Sequence, residues 1–212
     1  EMADFVGIAF DLAFKYRNPA IILADGVIGQ MMEKVVLPEQ RTRLTDEEVI
    51  ARCPWATTGR THHRTPNIIT SLELDPAEME KRNIHLQKKY AEIEENEVRF
   101  EELHCEDAEY LIVAFGSCAR IAQKAMEMAR EEGIKVGLLR PITLWPFPSK
   151  AIAARAAQVK GILTVELNAG QMVEDVRLAV KCKVPVEHFG RLGGIVPDPD
   201  EVITALKEKL IK

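Results

Sequence analysis

The residues best suited to chemistry stand at four junctions, where an apolar run ends and a polar or turn-forming stretch follows. The carboxyl ends of parallel strands lie along one rim of a sheet, and ligands and partners bind at that rim. The junctions are FGSC (115–118), LRPITLWPFP (139–148), ELNAGQM (166–172) and FGRLGG (189–194). They supply the rim candidates Ser117, Arg140, Trp145, Phe147, Glu166, Asn168, Gly170, Gln171 and Arg191.

These residue types can bind or orient a ligand, but their pattern lacks the pairings that catalysis requires. It contains no nucleophile beside a base, no paired carboxylates and no set of metal ligands. FGSC lacks both glycine-rich phosphate motifs, so we interpret it as a turn in which Ser117 caps a helix. Trp145, between prolines and exposed together with Phe147, is typical of an interface anchor. Read alone, the rim is predicted to bind or dock rather than to catalyse.

The stretch VELNAGQMVEDVR (165–177) carries the most polar of these junctions. We interpret Glu166 as one half of an ion pair with Arg140 that ties two strand ends together, ahead of a substrate-orienting role. Asn168, Gly170 and Gln171 are interpreted as the turn into the following helix. The stretch is therefore predicted to organise the rim and to present a docking surface.

Cysteine and histidine usage gives little support for a metal or redox centre. Four cysteines lie far apart without a CxxC pair, which excludes a zinc knuckle or a ferredoxin-type cluster and favours a reducing, cytoplasmic location. Cys118 opens a helix, where a thiol pKa can fall, but we favour a half-buried structural cysteine because the stretch has no nearby histidine. His62 and His63 lack a second ligand pair, so a solvated loop is favoured over a metal site.

The elements that must position the rim alternate regularly after residue 108. Strands are predicted at 110–116, 135–141, 161–167 and 184–190, with helices between them and a last helix from Asp198. The pattern predicts an open parallel α/β sheet with helices on both faces over 108–212.

The first half of the chain is less regular. A helix at 4–16 and an apolar strand at 20–26 read as the tail of a second α/β domain, residues 1–45. Residues 46–107 read as a connector with a short strand at 68–74 and a long helix at 75–103. An N-cap, a proline and a glutamate (Asp75, Pro76 and Glu78) predict that helix start. Its single apolar stripe predicts packing on a protein surface, with pairing between subunits left open.

Composition narrows the function classes further. The chain has 212 residues, a net charge of −5 and a pI of about 5.7, which disfavours nucleic-acid binding. The sequence has no apolar stretch near the roughly 20 residues of a membrane span. It begins EMADFVGIAF, without an initiator methionine, and enters a helical pattern at once. We therefore expect a fragment of a longer protein.

Four long motifs resemble the 2-oxoacid:ferredoxin oxidoreductases, in the subunit that binds the pyrimidine of thiamine diphosphate. They are ILADGVIGQMMEKV (22–35), RPITLWPFP (140–148), VELNAGQMVEDVR (165–177) and FGRLGGIVP (189–197). The N-terminal helix and the stretch RNIHLQKKYAEIEENEVRFEEL (82–103) resemble the branched-chain type, which acts on 2-ketoisovalerate. The resemblance extends over essentially the whole chain.

The resemblance implies that residues 1–45 end a thiamine-type domain and that 108–212 form a transketolase C-terminal-like domain. It implies oxidative decarboxylation of a 2-oxoacid to acyl-CoA and CO2, with ferredoxin as acceptor and coenzyme A as acyl carrier. Thiamine diphosphate with Mg²⁺, and iron–sulfur clusters on companion subunits, would serve the whole complex. No catalytic, cofactor-binding or metal-binding residue is carried over to this chain, and we expect the chain alone to be inactive.

Two other readings stay open at this point. The chain could be the C-terminal domain of another thiamine enzyme, a transketolase or a lipoamide-linked dehydrogenase. It could also be a non-catalytic α/β interaction module that folds and acts by itself. The motifs RPITLWPFP and ELNAGQM favour the ferredoxin-linked family.

Overall fold

A computed structural model describes residues 1–57 and 67–211, which divide into two compact units. The first unit comprises Glu1–Ile22 and Glu33–Lys89, and the second comprises Leu23–Met32 and Tyr90–Lys212. Within the described part of the chain, no helix has both the length and the apolar character needed to span a membrane.

The first unit is built from helices. Helix α1 is Met2–Tyr16, which begins two residues before the predicted helix at 4–16. Helix α3 is Asp46–Arg52, which begins at a capping box formed by Thr45 and Glu48. Arg41 binds both carboxylate oxygens of Asp11 on α1. The ring of Phe14 packs against Trp55 with the centroids 5.9 Å apart.

Two strands predicted in the first half of the chain do not form. In the predicted strand at 20–26, Ile21 is 80% exposed, and Asp25 instead caps the short helix α2, Gly26–Gln30. In the predicted strand at 68–74, Ile68 and Leu74 are 86% and 84% exposed. A strand gains its hydrogen bonds from a neighbour. Neither run lies beside another strand in the described part of the chain.

The long helix begins as predicted but ends earlier. Helix α4 is Pro76–Asn96, and Asp75 Oδ1 accepts hydrogen bonds from the backbone N–H groups of Ala77 (2.8 Å) and Glu78 (3.3 Å). The predicted end at 103 is wrong because Phe100–Leu103 form strand β1. This strand pairs antiparallel with the edge of the sheet, and edge pairing satisfies backbone groups that a solvated helix end leaves open.

The second unit contains the predicted parallel sheet. Its strands are β2 Tyr110–Ala114, β3 Val136–Pro141, β4 Gly161–Glu166 and β5 Val186–Gly190, all mutually parallel where they pair. Its helices are α5 Gly116–Glu131, α6 Ser149–Ala156, α7 Met172–Val180 and α8 Pro199–Leu206, followed by a π-helical turn at Lys207–Ile211. The strand order is β1-β3-β2-β4-β5. The predicted open parallel sheet with helices on both faces is confirmed, and β1 is an antiparallel strand that the sequence did not predict.

Helices cover both faces of this sheet. Helices α5 and α8 pack on one face over residues such as Ile112, Leu138 and Leu163. Helices α6 and α7 pack on the other face over Leu111 and Ile162, among others. The interior strand β4 is buried along its whole length, which explains its mostly apolar sequence.

The chain reverses its winding direction between β2 and β4. After β2, helix α5 leads to β3 on one side, and after β4, helix α7 leads to β5 on the other side. The two helices lie on opposite faces, so their N-termini flank the carboxyl ends of two adjacent strands. In open α/β sheets this reversal is where ligands most often bind.

Candidate functional site

The junction of β4 and α7 is organised by the carboxylate of Glu166. Glu166 is 1% exposed, and its Oε2 accepts hydrogen bonds from the backbone N–H groups of Gln171 (3.1 Å) and Met172 (2.8 Å). Its Oε1 accepts a third from Val173 at 3.0 Å. A helix N-terminus attracts negative charge because its first N–H groups have no partner within the helix. The carboxylate of Glu166 therefore occupies the anion-binding end of α7.

The turn between strand and helix has the role that its sequence predicts. Asn168 Oδ1 accepts a hydrogen bond from the backbone N–H of Gly170 at 2.7 Å. Gly170 has φ +111°, and a Cβ there would approach Val173 Cγ1 to 3.0 Å. A side chain at position 170 would thus be strained both by its φ angle and by its neighbour. The polar turn is built to bring the first amides of α7 over Glu166.

The junction of β2 and α5 uses a carboxylate that is distant in sequence. Phe115 is the N-cap of α5, so the predicted capping role of Ser117 is wrong. The hydroxyl of Ser117 instead donates to Asp25 Oδ2 at 2.6 Å, while Asp25 Oδ1 accepts from Ile28 N at 2.8 Å. Burial acts to raise the pKa of Asp25, but its hydrogen bonds from Ser117 and from backbone N–H groups outweigh burial and leave the pKa below its usual value.

Cys118 lies near both carboxylates and is not a reactive thiol. It is 3% exposed, and burial raises its pKa to about 11, with contributions from the negative charges of Glu166 and Asp25. The side chain of Cys118 is fully buried rather than half-buried as predicted, which agrees with a structural role. Burial raises the pKa of Cys105 to about 11 in the same way.

The predicted ion pair between Arg140 and Glu166 is replaced by other contacts. Arg140 binds Glu101 on β1, with both Nε and Nη2 at 2.9 Å from Oε2. The register of the antiparallel pair places these residues directly opposite each other. Sequence reasoning missed this partner because it assigned residue 101 to the long helix.

The remaining rim candidates lie at the ends of β3 and β5. Arg191 Nη1 donates to Glu201 Oε1 at 2.6 Å, which connects the end of β5 to the capping box of Asp198 and Glu201 that starts α8. Trp145 is 54% exposed and makes an edge-to-face contact with Tyr90. Phe147, predicted to be exposed, is half-buried against the core beside α6.

Metal binding receives no support from the residues that can be placed. Among residues 1–57 and 67–211, no group of three or more His, Cys, Asp or Glu side chains has metal-binding geometry. His62 and His63 lie outside the described residues.

One polar residue at the rim was not singled out from the sequence. His188 on β5 stands directly opposite Thr164 in the register, and Glu166 stands opposite Gly190. Its Nδ1 lies 3.2 Å from Thr164 Oγ1 and 3.5 Å from Glu166 Oε1. The sequence signal for this residue was the two-residue spacing of side chains along a strand. That spacing puts residues 164 and 166 on one face of β4 and residues 188 and 190 on the same face of β5.

Comparison with known proteins gives the family. Residues 108–202 match pyruvate:ferredoxin oxidoreductase core domain II. The chain is 45% identical over 208 residues to the ketoisovalerate oxidoreductase subunit VorB of Methanothermobacter marburgensis, which covers 98% of this chain and 57% of that protein. The chain belongs to the 2-oxoacid:ferredoxin oxidoreductase family. The recognition made from the four motifs is confirmed.

Two further relatives of the family are more distant. The 2-oxoglutarate synthase subunit KorA of Archaeoglobus fulgidus is 32% identical over 90% of this chain and 53% of that protein. The solved 2-oxoglutarate:ferredoxin oxidoreductase from Magnetococcus marinus, with 2-oxoglutarate, coenzyme A and succinyl-CoA bound, has a TM-score of 0.60 and 26% identity. That match covers 70% of this chain and 28% of the solved chain. The chain spans little more than half the length of the curated relatives it matches.

At the rim, carboxylates of the chain itself lie against two helix N-termini. The two helix N-termini at the winding reversal already hold Glu166 and Asp25. The two carboxylates place negative charge where a phosphate or diphosphate would otherwise bind. What the rim offers outward is the exposed ring of Trp145 and the exposed loop that contains Leu192.

Proposed function

We propose that the chain is the C-terminal part of a subunit of a ferredoxin-linked 2-oxoacid oxidoreductase that acts on 2-ketoisovalerate. The observation that carries the proposal is the 45% identity to two ketoisovalerate oxidoreductase subunits over 98% of the chain. Identity to the 2-oxoglutarate synthase subunits is 28–32%. In the proposed reaction the 2-oxoacid loses CO2, its acyl group passes to coenzyme A, and a pair of electrons passes to ferredoxin.

The described residues do not fit a site for thiamine diphosphate. A diphosphate binds where free backbone N–H groups and positive charge converge. Here the N-termini of α5 and α7 are occupied by Asp25 and Glu166. We therefore assign the cofactor, its Mg²⁺ and the iron–sulfur clusters to other parts of the complex. No step of the reaction is assigned to this chain, and the chain alone is expected to be inactive.

The domain organisation proposed for the subunit follows the same division. Residues 1–45 would end the thiamine-type domain, 46–107 would connect, and 108–212 would form the transketolase C-terminal-like domain. Support comes from the four parallel strands between residues 110 and 190. The exposed apolar side chains of Ile21, Leu23 and Val36 support an extensive interface for the N-terminal stretch.

The rim of the second unit is proposed as a contact surface for a companion subunit of the complex, in the cytoplasm. Trp145 is 54% exposed, and Leu192 and Ile195 add further exposed apolar surface. Partly buried aromatic anchors contribute much of the binding energy at interfaces. Glu166 and Asn168 would hold this surface in shape without touching the substrate.

Turnover by the whole complex tests the function. Purified complex is assayed with coenzyme A, a viologen dye and each of three 2-oxoacids: 2-ketoisovalerate, 2-oxoglutarate and pyruvate. We expect the highest kcat/KM with 2-ketoisovalerate and no dye reduction by the chain alone. A higher kcat/KM with 2-oxoglutarate would contradict the substrate proposal, and activity of the isolated chain would contradict its assignment as a non-catalytic part.

Substitution of the rim anchor tests the interface. Trp145→Ala is expected to weaken co-purification with companion subunits by roughly tenfold or more, the effect of losing an aromatic anchor. Leu178→Ala is the matched control because Leu178 is a large exposed apolar residue on α7. Equal retention of companion subunits by both variants would show that the rim is not part of the interface.

A further inference from the structure

The imidazole of His188 lies in a slot between two glycines at the rim. A Cβ at Gly190 would approach His188 Nε2 to 2.6 Å and the backbone oxygen of Asn168 to 2.2 Å. A Cβ at Gly170 would lie 3.6 Å from His188 Cδ2. The side chain of His188 is only 21% exposed. The two glycines leave room for a ring that contacts the 168–171 turn directly.

Both ring nitrogens of His188 face oxygen atoms of the rim. Nε2 lies 3.3 Å from the backbone carbonyl oxygen of Asn168. A carbonyl oxygen only accepts hydrogen bonds, so Nε2 must carry a proton to make this contact. Nδ1 faces the hydroxyl of Thr164 at 3.2 Å and the carboxylate of Glu166 at 3.5 Å.

The hydroxyl of Thr164 can serve either charge state of the ring. Its single proton can be donated to Nδ1 of a neutral ring or to the backbone oxygen of Glu187, which lies 3.3 Å away. When the hydroxyl donates to Glu187, a protonated Nδ1 can donate to Thr164 or Glu166. In both states the ring connects β4 to the turn, and Nε2 remains the donor to Asn168.

We propose that His188 is the positioning residue of the rim turn, because its ring lies within hydrogen-bonding distance of the Asn168 carbonyl and beside the Glu166 carboxylate. Glu166 fixes the first amides of α7, and His188 fixes the turn that brings those amides over Glu166. His188 acts through these residues. Any effect of His188 on enzymatic activity rests on the proposed function. Its positioning of the 168–171 turn does not.

The ring protonation state is tested on the unaltered chain by ¹⁵N NMR of the histidine side chains. We expect His188 to carry a proton on Nε2 at every pH at which the chain is folded, as the Nε2–H tautomer when neutral. Its assignment comes from loss of the signal in His188→Gln. A neutral ring protonated on Nδ1 would overturn the proposal, since it could not donate to Asn168.

Hydrogen exchange of the backbone amides at 170–173 tests the positioning role. Removal of the ring nitrogens in His188→Phe is expected to speed exchange roughly five- to tenfold, the effect of about one hydrogen bond. His188→Gln keeps an amide donor in reach of the turn and should restore most of the protection. Arg177→Met is the matched control, because Arg177 Nη2 donates to the Val186 carbonyl at the other end of β5 at 3.2 Å.

The outcomes separate a local role from general destabilisation. Faster exchange in both His188 variants, or in Arg177→Met to the same extent, would show a merely structural side chain and overturn the proposal. If the whole complex shows no 2-oxoacid-dependent dye reduction, the proposed function fails, but the exchange and NMR results still decide the role of His188.

Discussion

The carboxylates of Glu166 and Asp25 lie at the N-termini of α7 and α5, where the winding direction reverses. Glu166 is close in sequence to its helix, whereas Asp25 is distant from its helix. Glu166 ends the strand that leads into α7 and reaches amides five to seven residues ahead. Asp25 reaches Ser117 on α5 across 92 positions of sequence. Glu166 is buried and makes three hydrogen bonds to the helix, whereas Asp25 is half-exposed and is also the N-cap of α2.

The difference indicates that Glu166 contributes to folding of the domain, whereas Asp25 contributes to docking of a segment onto it. A local carboxylate that accepts from two buried N–H groups and one partly buried N–H is part of the domain core, because those groups would otherwise be left without partners. A distant, partly exposed carboxylate attaches a separate segment to a domain that is already folded. We therefore expect loss of Glu166 to damage the domain and loss of Asp25 to release only the segment at 23–32.

Glu166→Ala should have the largest effect. It leaves the buried N–H groups of Met172 and Val173 unpaired, together with the partly buried N–H of Gln171. At about 1–3 kcal/mol for each buried donor, the free energy of unfolding should fall by at least about 2 kcal/mol. Chemical denaturation of the chain measures it. Glu174→Ala, an exposed acidic residue in the first turn of α7, is the control and should change little. A loss of less than about 1 kcal/mol would mean that the local carboxylate is no more important than a surface cap.

Thiol labelling compares the buried Cys118, which lies near Glu166 and Asp25, with the exposed Cys182. With a pKa of about 11 and 3% exposure, Cys118 should react with iodoacetamide at pH 8 at least about a hundredfold more slowly than exposed Cys182. Peptide mass spectrometry gives both rates. Glu166→Ala should speed labelling of Cys118, since it loosens the α7 junction. Fast labelling of Cys118 in the unaltered chain would show that the rim opens.

Asp25→Asn should have a smaller effect that depends on pH. The folded pKa of Asp25 is lowered, so its contribution is present above the unfolded pKa of about 3.9 and is lost as pH falls through the folded pKa. We expect the variant to be less stable by up to about 1 kcal/mol at pH 7, the usual difference between hydrogen bonds to a charged and to a neutral acceptor. The difference should shrink as the pH falls below the unfolded pKa of about 3.9. A difference that does not shrink in acid would assign the effect to something other than the carboxylate charge.

Ser117→Ala should have the smallest effect. It removes one hydrogen bond to a partly exposed acceptor, at about 0.5–1 kcal/mol, while Asp25 keeps its bond from Ile28. Hydrogen exchange of residues 23–32 should rise while exchange of β2 and β4 stays constant. Equal acceleration across the sheet would contradict the view that Asp25 attaches one segment.

Much of the second unit could be predicted from the sequence because its signals are local. Apolar runs of strand length alternate with helical patterns, and capping signals such as Asp198 with Glu201 fix helix starts. The turn of Asn168 and Gly170 was also predictable, since an amide that bonds two residues ahead and a glycine with positive φ are local devices.

The errors fall where partners are distant. The strand predicted at 20–26 has strand-forming residues but no strand beside it among the described residues, and β1 became a strand because an open sheet edge was within reach. The guanidinium of Arg140 was given the wrong acid for the same reason, since its partner Glu101 lies on that edge strand.

The sequence by itself determined the alternation of strands and helices, the polar turn into α7 and the family. Periodicity, capping and motif identity are properties of neighbouring residues. Only the tertiary structure decided that Glu166 binds amides rather than Arg140, that Asp25 reaches Ser117, and that His188 lies between two glycines. Those contacts depend on strand order and register, and a hydrogen bond forms only between groups that the completed fold brings within about 3 Å.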